Sequence, residues 1–386
     1  MGYTHNMKMT PVGLIPEDWD VATIKEYGHL LSDGINPQQY RDMDFVEYSM
    51  PAYDEGQSPT KCKGADMNSN RTQIKGEVLL FNKLNVRQKR VWYIEKAPSK
   101  ALCSMEFLAY SSDKVDLRLL REILLQDSVT KGFESVSRGT SNSQKRIAPS
   151  DFLNFSFALP PLAEQHRIAD ALSGVDKMIG ALDEAIAKKR QIKEGLMQQL
   201  LTGKTRLPGF NGAWAERRLD SFEIVNGSML KSSEYETGNV PVIAGGQTPA
   251  GFHSKANRPA NTITISGSGA YAGFVSFHTI PIFASDCSTI CNPKNVDIIY
   301  LYFCLLSKQK EIYKCQAGGA QPHVHAKDIK DITIMMPSSV EEQKAISSVL
   351  TKSDDEIKGL EAQRDKYTLI KQGMMQELLT GKTRLI

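Results

Sequence analysis

The chain has 386 residues, more than one ordinary domain, and about 150 residues per domain gives two to three. Hydrophobic residues make up 41% and charged residues 24%, ordinary for a globular protein with sizeable cores, which sets aside the disordered, collagen-like and membrane classes. Forty-seven basic against 44 acidic side chains leave +3, a charge that by itself argues for no partner.

No apolar run reaches the ~18 residues that span a bilayer, and Met1-Gly2-Tyr3-Thr4-His5-Asn6 lacks the basic-then-apolar pattern of a signal peptide. A cytoplasmic location is the expectation. Cys62, Cys103, Cys287, Cys291, Cys304 and Cys315 are too few and too irregular for a disulfide framework, and no C-x-x-C occurs. They read as reduced, mostly buried thiols.

Taken in chain order, Trp19 and Ile24 open a region of short strand-like runs, among them Val78-Leu79-Leu80-Phe81 and Val91-Trp92-Tyr93-Ile94. A helical stretch near 116–125 follows. Two loops here are basic: Arg87-Gln88-Lys89-Arg90 between the two strands, and the stretch from Arg138 to Arg146. Their Arg87, Gln88, Lys89, Arg90, Arg138, Thr140, Ser141, Lys145 and Arg146 suit phosphate neutralisation and the reading of guanine or adenine edges. A solvated turn is the competing reading of either loop.

The next segment predicts a long helix. Ile168, Leu172, Val175, Ile179, Leu182 and Ile186 are spaced 4-3-4-3-4, the seam of a coiled coil. Ile192, Leu196 and Leu200 continue the stripe after a phase shift. Gly203 stops it, with Pro208 following. About 36 residues at 1.5 Å each give a rod of ~54 Å.

A second region, entered at Trp214 and Leu219, again carries strand-like runs, Thr262-Ile263-Thr264-Ile265 and Phe274-Val275-Ser276-Phe277, then a helical stretch near 297–307. Its polar loops differ in kind. Gly245-Gly246-Gln247-Thr248-Pro249, the loop from Ser266 to Gly273 and the stretch from Gly318 to His323 offer small residues beside larger polar ones. Gln247, Ser266, Ser268, Tyr271, Gln321 and His323 are the candidate contacts to DNA there, with flexible turns as the competing reading.

The glycines of the Ser266–Gly273 loop form G-x-G-x-x-x-G between two strands, one residue too long for a dinucleotide fingerprint and with no following helix. A hairpin, or a loop pressed close to a ligand backbone, is the better reading. His323-Val324-His325 near Cys315 lacks the usual Cys/His pairs of a zinc site, so no metal is expected. No G-x-x-x-x-G-K-[ST], G-x-S-x-G or H-E-x-x-H occurs. No catalytic residue and no cofactor of this chain's own is expected.

The last segment is a second long helix with Ile346, Leu350, Ile357, Leu360 and Tyr367 on its seam and Ser353 and Arg364 interrupting it. It repeats the first. Residues 162–207 and 340–385 align without a gap, with 21 identities in 46 positions, ending in an identical Leu-Leu-Thr-Gly-Lys-Thr-Arg-Leu. The looser landmarks before each copy show that the first variable region is about 17 residues longer than the second. The fold expected is α+β: two similar domains at 1–158 and 208–335, with helices at 159–207 and 336–386 pairing as an antiparallel coiled coil.

This layout resembles the specificity (S) subunits of type I DNA restriction-modification systems over essentially the whole chain. The marks are Leu159-Pro160-Pro161-Leu162-Ala163-Glu164-Gln165 before the first helix, the weaker Met336 to Gln343 before the second, the Leu-Leu-Thr-Gly-Lys exits and Gly-Gly-Gln-Thr-Pro at 245–249. The second lead-in departs from the family pattern, with Ser338-Ser339-Val340 in place of Pro-Pro-Leu. The resemblance implies a non-catalytic protein whose two target-recognition domains each read half of a bipartite, asymmetric double-stranded DNA site. It implies that the helices, on the outward faces of 164–201 and 342–379, dock two methyltransferase subunits that use S-adenosylmethionine. Restriction subunits using ATP with Mg would join them. A rigid spacer would require half-sites near one helical turn apart, ~34 Å. The alternatives are a coiled-coil scaffold that binds proteins and not DNA, and the specificity subunit of a related system whose restriction and modification activities share one polypeptide.

Overall fold

The computed structural model describes residues 6–139, 141, 143–235, 237–319 and 321–386. The chain divides into two compact units: Met1–Ala181 with Arg364–Ile386, and Leu182–Gln363. Both long helices therefore contribute one part to each unit.

In the first unit, four strands, β1 (His29–Leu30), β2 (Gly76–Asn82), β3 (Val91–Ala97) and β4 (Phe107–Ser111), form an antiparallel sheet in the order β3-β2-β4-β1. Val78, Leu79, Leu80 and Phe81 are all buried, so β2 reads as a continuous apolar run because both of its faces are covered. A second sheet of five strands lies in the same unit, and in it Asp44–Tyr48 and Ala101–Ser104 run parallel. Helix α1 (Leu117–Leu124) starts at Asp116, whose carboxylate accepts from the Arg118 N–H as an N-cap.

The second unit repeats this plan. Strands β5 (Ile224–Asn226), β6 (Thr262–Ser266), β7 (Val275–His278) and β8 (Cys287–Cys291) form the sheet β7-β6-β8-β5, the same connectivity strand for strand. The companion sheet has three strands instead of five and keeps the parallel pair, Val240–Ile243 with Phe283–Ala284. Much of the extra length of the first variable region thus resides in this companion sheet. Helix α3 (Ile298–Ser307) is capped by Asp297 as α1 is by Asp116.

The long helices are α2 (Leu162–Leu200) and α4 (Val340–Leu378). Within the first unit Lys371 pairs with Asp176 at 2.7 Å, and within the second Lys189 pairs with Glu356 at 2.6 Å and Lys193 with Asp354. Partners on α4 fall in number as those on α2 rise, so the two helices run antiparallel. Ile168 and Leu172 join the core of the first unit with Leu378 and Leu379, and Ile346 and Leu350 join that of the second with Leu200 and Leu201. Leu182, Ile186 and Ile357 are buried; Val175, Ile179, Leu360 and Tyr367 are half-buried. Ile192 is exposed, at 46%, so the stripe that the sequence extends through it does not close at that position.

Each helix ends at a glycine with positive φ, Gly203 at 71° and Gly381 at 67°, the left-handed geometry expected past a helix C-terminus. The tails that follow fasten each unit. In the first, Arg384 donates to both oxygens of Glu164 at 2.7 and 2.8 Å and to Asp18 at 2.8 and 2.6 Å, while Trp19 Nε1 donates to Glu164 at 3.0 Å. In the second, Arg206 grips Glu342 at 2.6 and 2.7 Å and lies over the Trp214 ring. The neighbouring glutamines also do the same work twice. Gln165 accepts from the Asp116 N–H (3.0 Å) and donates to the Pro160 carbonyl (2.8 Å), and Gln343 accepts from the Asp297 N–H (2.8 Å) and donates to the Pro337 carbonyl (3.0 Å).

Among the described residues no helix is long and apolar enough to cross a membrane, and none of the cysteines is disulfide-bonded. Burial pushes the thiols of Cys103, Cys287 and Cys304 up to about 12. All three are therefore protonated and inert near neutrality.

Candidate nucleic-acid interface

The two basic loops of the first unit come together. The β2–β3 connection is stitched to the returning hairpin by Asn85 N–H to the Lys145 carbonyl (2.8 Å) and Ile147 N–H to the Lys83 carbonyl (3.1 Å). Arg138 and Arg146 exchange backbone hydrogen bonds at 2.8 Å across the hairpin base. Asn85 and Lys89 adopt left-handed φ of 52° and 49°, which wraps the short connection tightly.

Most of the cations there are already engaged. Arg87 pairs with Glu134 at 3.1 Å, Arg90 holds both oxygens of Asp54 at 2.7 Å, Arg146 faces Glu106 at 3.0 Å, and Lys89 pairs with Asp127. Lys89 also donates to the Leu125 carbonyl at 3.0 Å. None of these acids is a sequence neighbour of its partner, so the local pattern could not reveal them. Arg138, exposed, and Lys145, half-buried, have no ion-pair partner among the described residues. Gln88 and Ser141 are exposed; Thr140 lies outside the described residues.

The second unit assembles the equivalent place from uncharged groups. Ala317 and His323 exchange backbone hydrogen bonds at 2.9 and 2.8 Å, as Arg138 and Arg146 do, and the Val324 N–H donates to the Gly267 carbonyl at 3.0 Å, as Ile147 does to Lys83. The Gly269 N–H donates to the Pro322 carbonyl at 3.0 Å. The 245–249 loop joins them: a Cβ at Gly245 would lie 2.5 Å from the Ser268 carbonyl, so only glycine permits the approach. Gln247, Tyr271 and Gln321 are exposed and His323 half-buried. Ser268 is half-buried and donates to Asp286, and Ser266 is 3% exposed inside β6. The His323 and His325 rings stack with centroids 6.1 Å apart. Among the described residues no three His, Cys, Asp or Glu side chains are gathered to hold a metal.

Both units thus carry one hairpin and one inter-strand loop at the same place in the same fold, lined differently. A family model for the type I restriction-modification DNA specificity domain matches residues 16–194 and again 211–366. The chain belongs to that family. A protein of Methanocaldococcus jannaschii named as a type I restriction enzyme specificity subunit is 25% identical over 418 aligned positions, spanning 98% of this chain and 97% of that one. A crystal structure of a type I restriction-modification S subunit from M. genitalium superposes with a TM-score of 0.69 at 19% identity, over 96% of this chain and 97% of that one. A chain from a study of complex assembly and conformational transition in a type I system superposes with a TM-score of 0.56 at 20% identity, over 96% and 99%. These likenesses carry the fold of this DNA-specificity family over nearly the whole chain.

Proposed function

We propose that the chain is the non-catalytic DNA-reading subunit of a type I restriction-modification complex, each unit reading one half of a bipartite and asymmetric site. The observation that carries this reading is the repeated fold with unlike loops at the same place. Equal scaffolds present Arg138 and Lys145 in one unit and an amide-and-aromatic surface in the other, so each unit selects its own half-site. The candidate contacts are Arg138, Lys145, Gln88 and Ser141 in the first unit and Gln247, Tyr271, Gln321 and His323 in the second.

The helices α2 and α4 dock two methyltransferase subunits, which bring S-adenosylmethionine, and the restriction subunits bring ATP with Mg. The exposed Met178, Ile192, Leu369 and Ile370, 40–67% accessible, are the apolar residues that such docking covers. Co-expression with a methyltransferase subunit of a type I system, followed by sequencing of modified adenines, tests the proposal. Methylation confined to one bipartite, asymmetric motif supports it; methylation without a bipartite motif, or none that depends on this chain, refutes it.

A further inference from the structure

The two reading hairpins differ in length and charge, yet one pair of residues recurs in both. Gly139 and Gly318 follow the bridged residue on the outgoing side, with φ of 154° and 96°. A Cβ on Gly139 would lie 2.8 Å from the Gln144 carbonyl oxygen, and one on Gly318 would lie 2.8 Å from the Gln321 carbonyl oxygen. Each glycine therefore seats the backbone of a glutamine on the returning side, and each glutamine is exposed. Neither amide side chain has a hydrogen-bond partner among the described residues.

Around this pair nothing else is shared. Arg138 faces Ala317 in the equivalence and Arg146 faces His323. Gly319, Ala320 and Pro322 offer no hydrogen-bonding side chain, so Gln321 is the sole such group between Gly318 and His323. We propose that Gln144 and Gln321 are matched base readers, each contacting an adenine that both half-sites contain. A glutamine amide presents a donor and an acceptor together, the complement of adenine N7 and N6–H in the major groove. Residues that differ between the units read what differs between the half-sites; the residue they share reads what the half-sites have in common. This rests on the proposed function, and it adds Gln144, which was not among the contacts expected from the sequence.

The test uses the chain in complex with its methyltransferase subunits. Duplexes retained from a random library define the two half-sites. Binding is then measured to site duplexes in which one adenine at a time is replaced by 7-deazaadenine, which lacks the N7 acceptor. One adenine in each half-site should be sensitive, by about 5- to 150-fold. Gln144→Ala should abolish the sensitivity in one half-site alone and Gln321→Ala in the other alone, with the salt dependence of binding unchanged. Continued discrimination at the remaining positions of the same half-site reports that the mutated unit is correctly folded. If both variants discriminate adenine as the parent does, or weaken all duplexes alike with a shallower salt dependence, the glutamines touch backbone or nothing and the inference fails while half-site reading stands. If no bipartite site is selected, the proposed function falls and the inference with it.

Discussion

Glu164 and Glu342 show how one residue type can be repeated while its energetics are not. Each is almost wholly buried, at 2% and 1%, and a buried carboxylate is tolerated only when charge and hydrogen bonds compensate it. Glu164 has Arg384 and the Trp19 indole; Glu342 has Arg206, while Trp214 Nε1 is buried without a hydrogen-bond partner among the described residues. Trp19→Phe should therefore cost the first unit about 1.5–3 kcal/mol, the value of a hydrogen bond to a charged group, and Trp214→Phe well under half of that in the second. Urea unfolding of both variants checks the contrast; equal losses would contradict it.

Asp116 gives a pH dependence. Burial alone would raise its pKa, but hydrogen bonds from Arg118 and His166 hold it below the usual carboxylate range. A depressed folded value contributes stability above the unfolded value of about 3.9 and loses it as pH falls through the folded one. Asp116→Asn should thus remove part of the acid sensitivity of the first unit below about pH 4, measured as the midpoint of unfolding against pH. The Glu-Gln pair and the terminal Arg-Leu were visible in the sequence as repeated letters. Their joint purpose was not, since Glu164 meets Arg384 from the far end of the chain.

At the scale of elements, α1 and α3 dock on the long helices by two solutions to one problem. Lys371 and Asp176 recur as Lys193 and Asp354, so both helix pairs offer the same lysine and aspartate. On α1 the lysine meets Glu122, 3% exposed, with Nζ 2.9 Å from its carboxylate; on α3 it lies over the Phe303 ring, 5.5 Å from the centroid. Removing Lys371 leaves Glu122 with Arg121 as its remaining charged neighbour. Lys371→Met should cost about 3 kcal/mol. Lys193→Met forfeits a cation–π contact of about 1–2 kcal/mol and its pairing with Asp354. Hydrogen exchange resolved by unit reads both, with α1 loosening more than α3.

Both long helices, their glycine stops, the strand pairs and the short helices were legible because period and turn chemistry are local. The strands of the companion sheets were not singled out, since they are short and some pair with partners far along the chain, as Val46 does with Ala101 and Val242 with Phe283. The neutralising acids around Arg87, Lys89, Arg90 and Arg146 were hidden for the same reason: Asp54, Glu106, Asp127 and Glu134 become neighbours only after folding.

For the whole molecule, those internal pairs sharpen the meaning of a net charge of +3. Residues 22–158 hold 19 basic and 17 acidic groups, and 215–335 hold 11 and 10. With basic and acidic groups nearly balanced and most cations of the two basic loops already paired, the isolated chain should bind DNA weakly, with a shallow dependence on salt that steepens when methyltransferase subunits join. A salt titration of duplex binding by the chain and by the complex measures this. Tight binding by the chain alone at physiological salt would show that the readers supply the backbone contacts themselves.

If two similar units read two different half-sites, exchanging one reader must change one half of the motif and leave the other. Residues 22–158 are replaced by the corresponding segment of a specificity subunit with a different target, and modified adenines are sequenced from cells that also express the methyltransferase. The expected result is a bipartite motif in which one half is new and the other is unchanged. An unaltered motif, or one altered in both halves, would contradict the account.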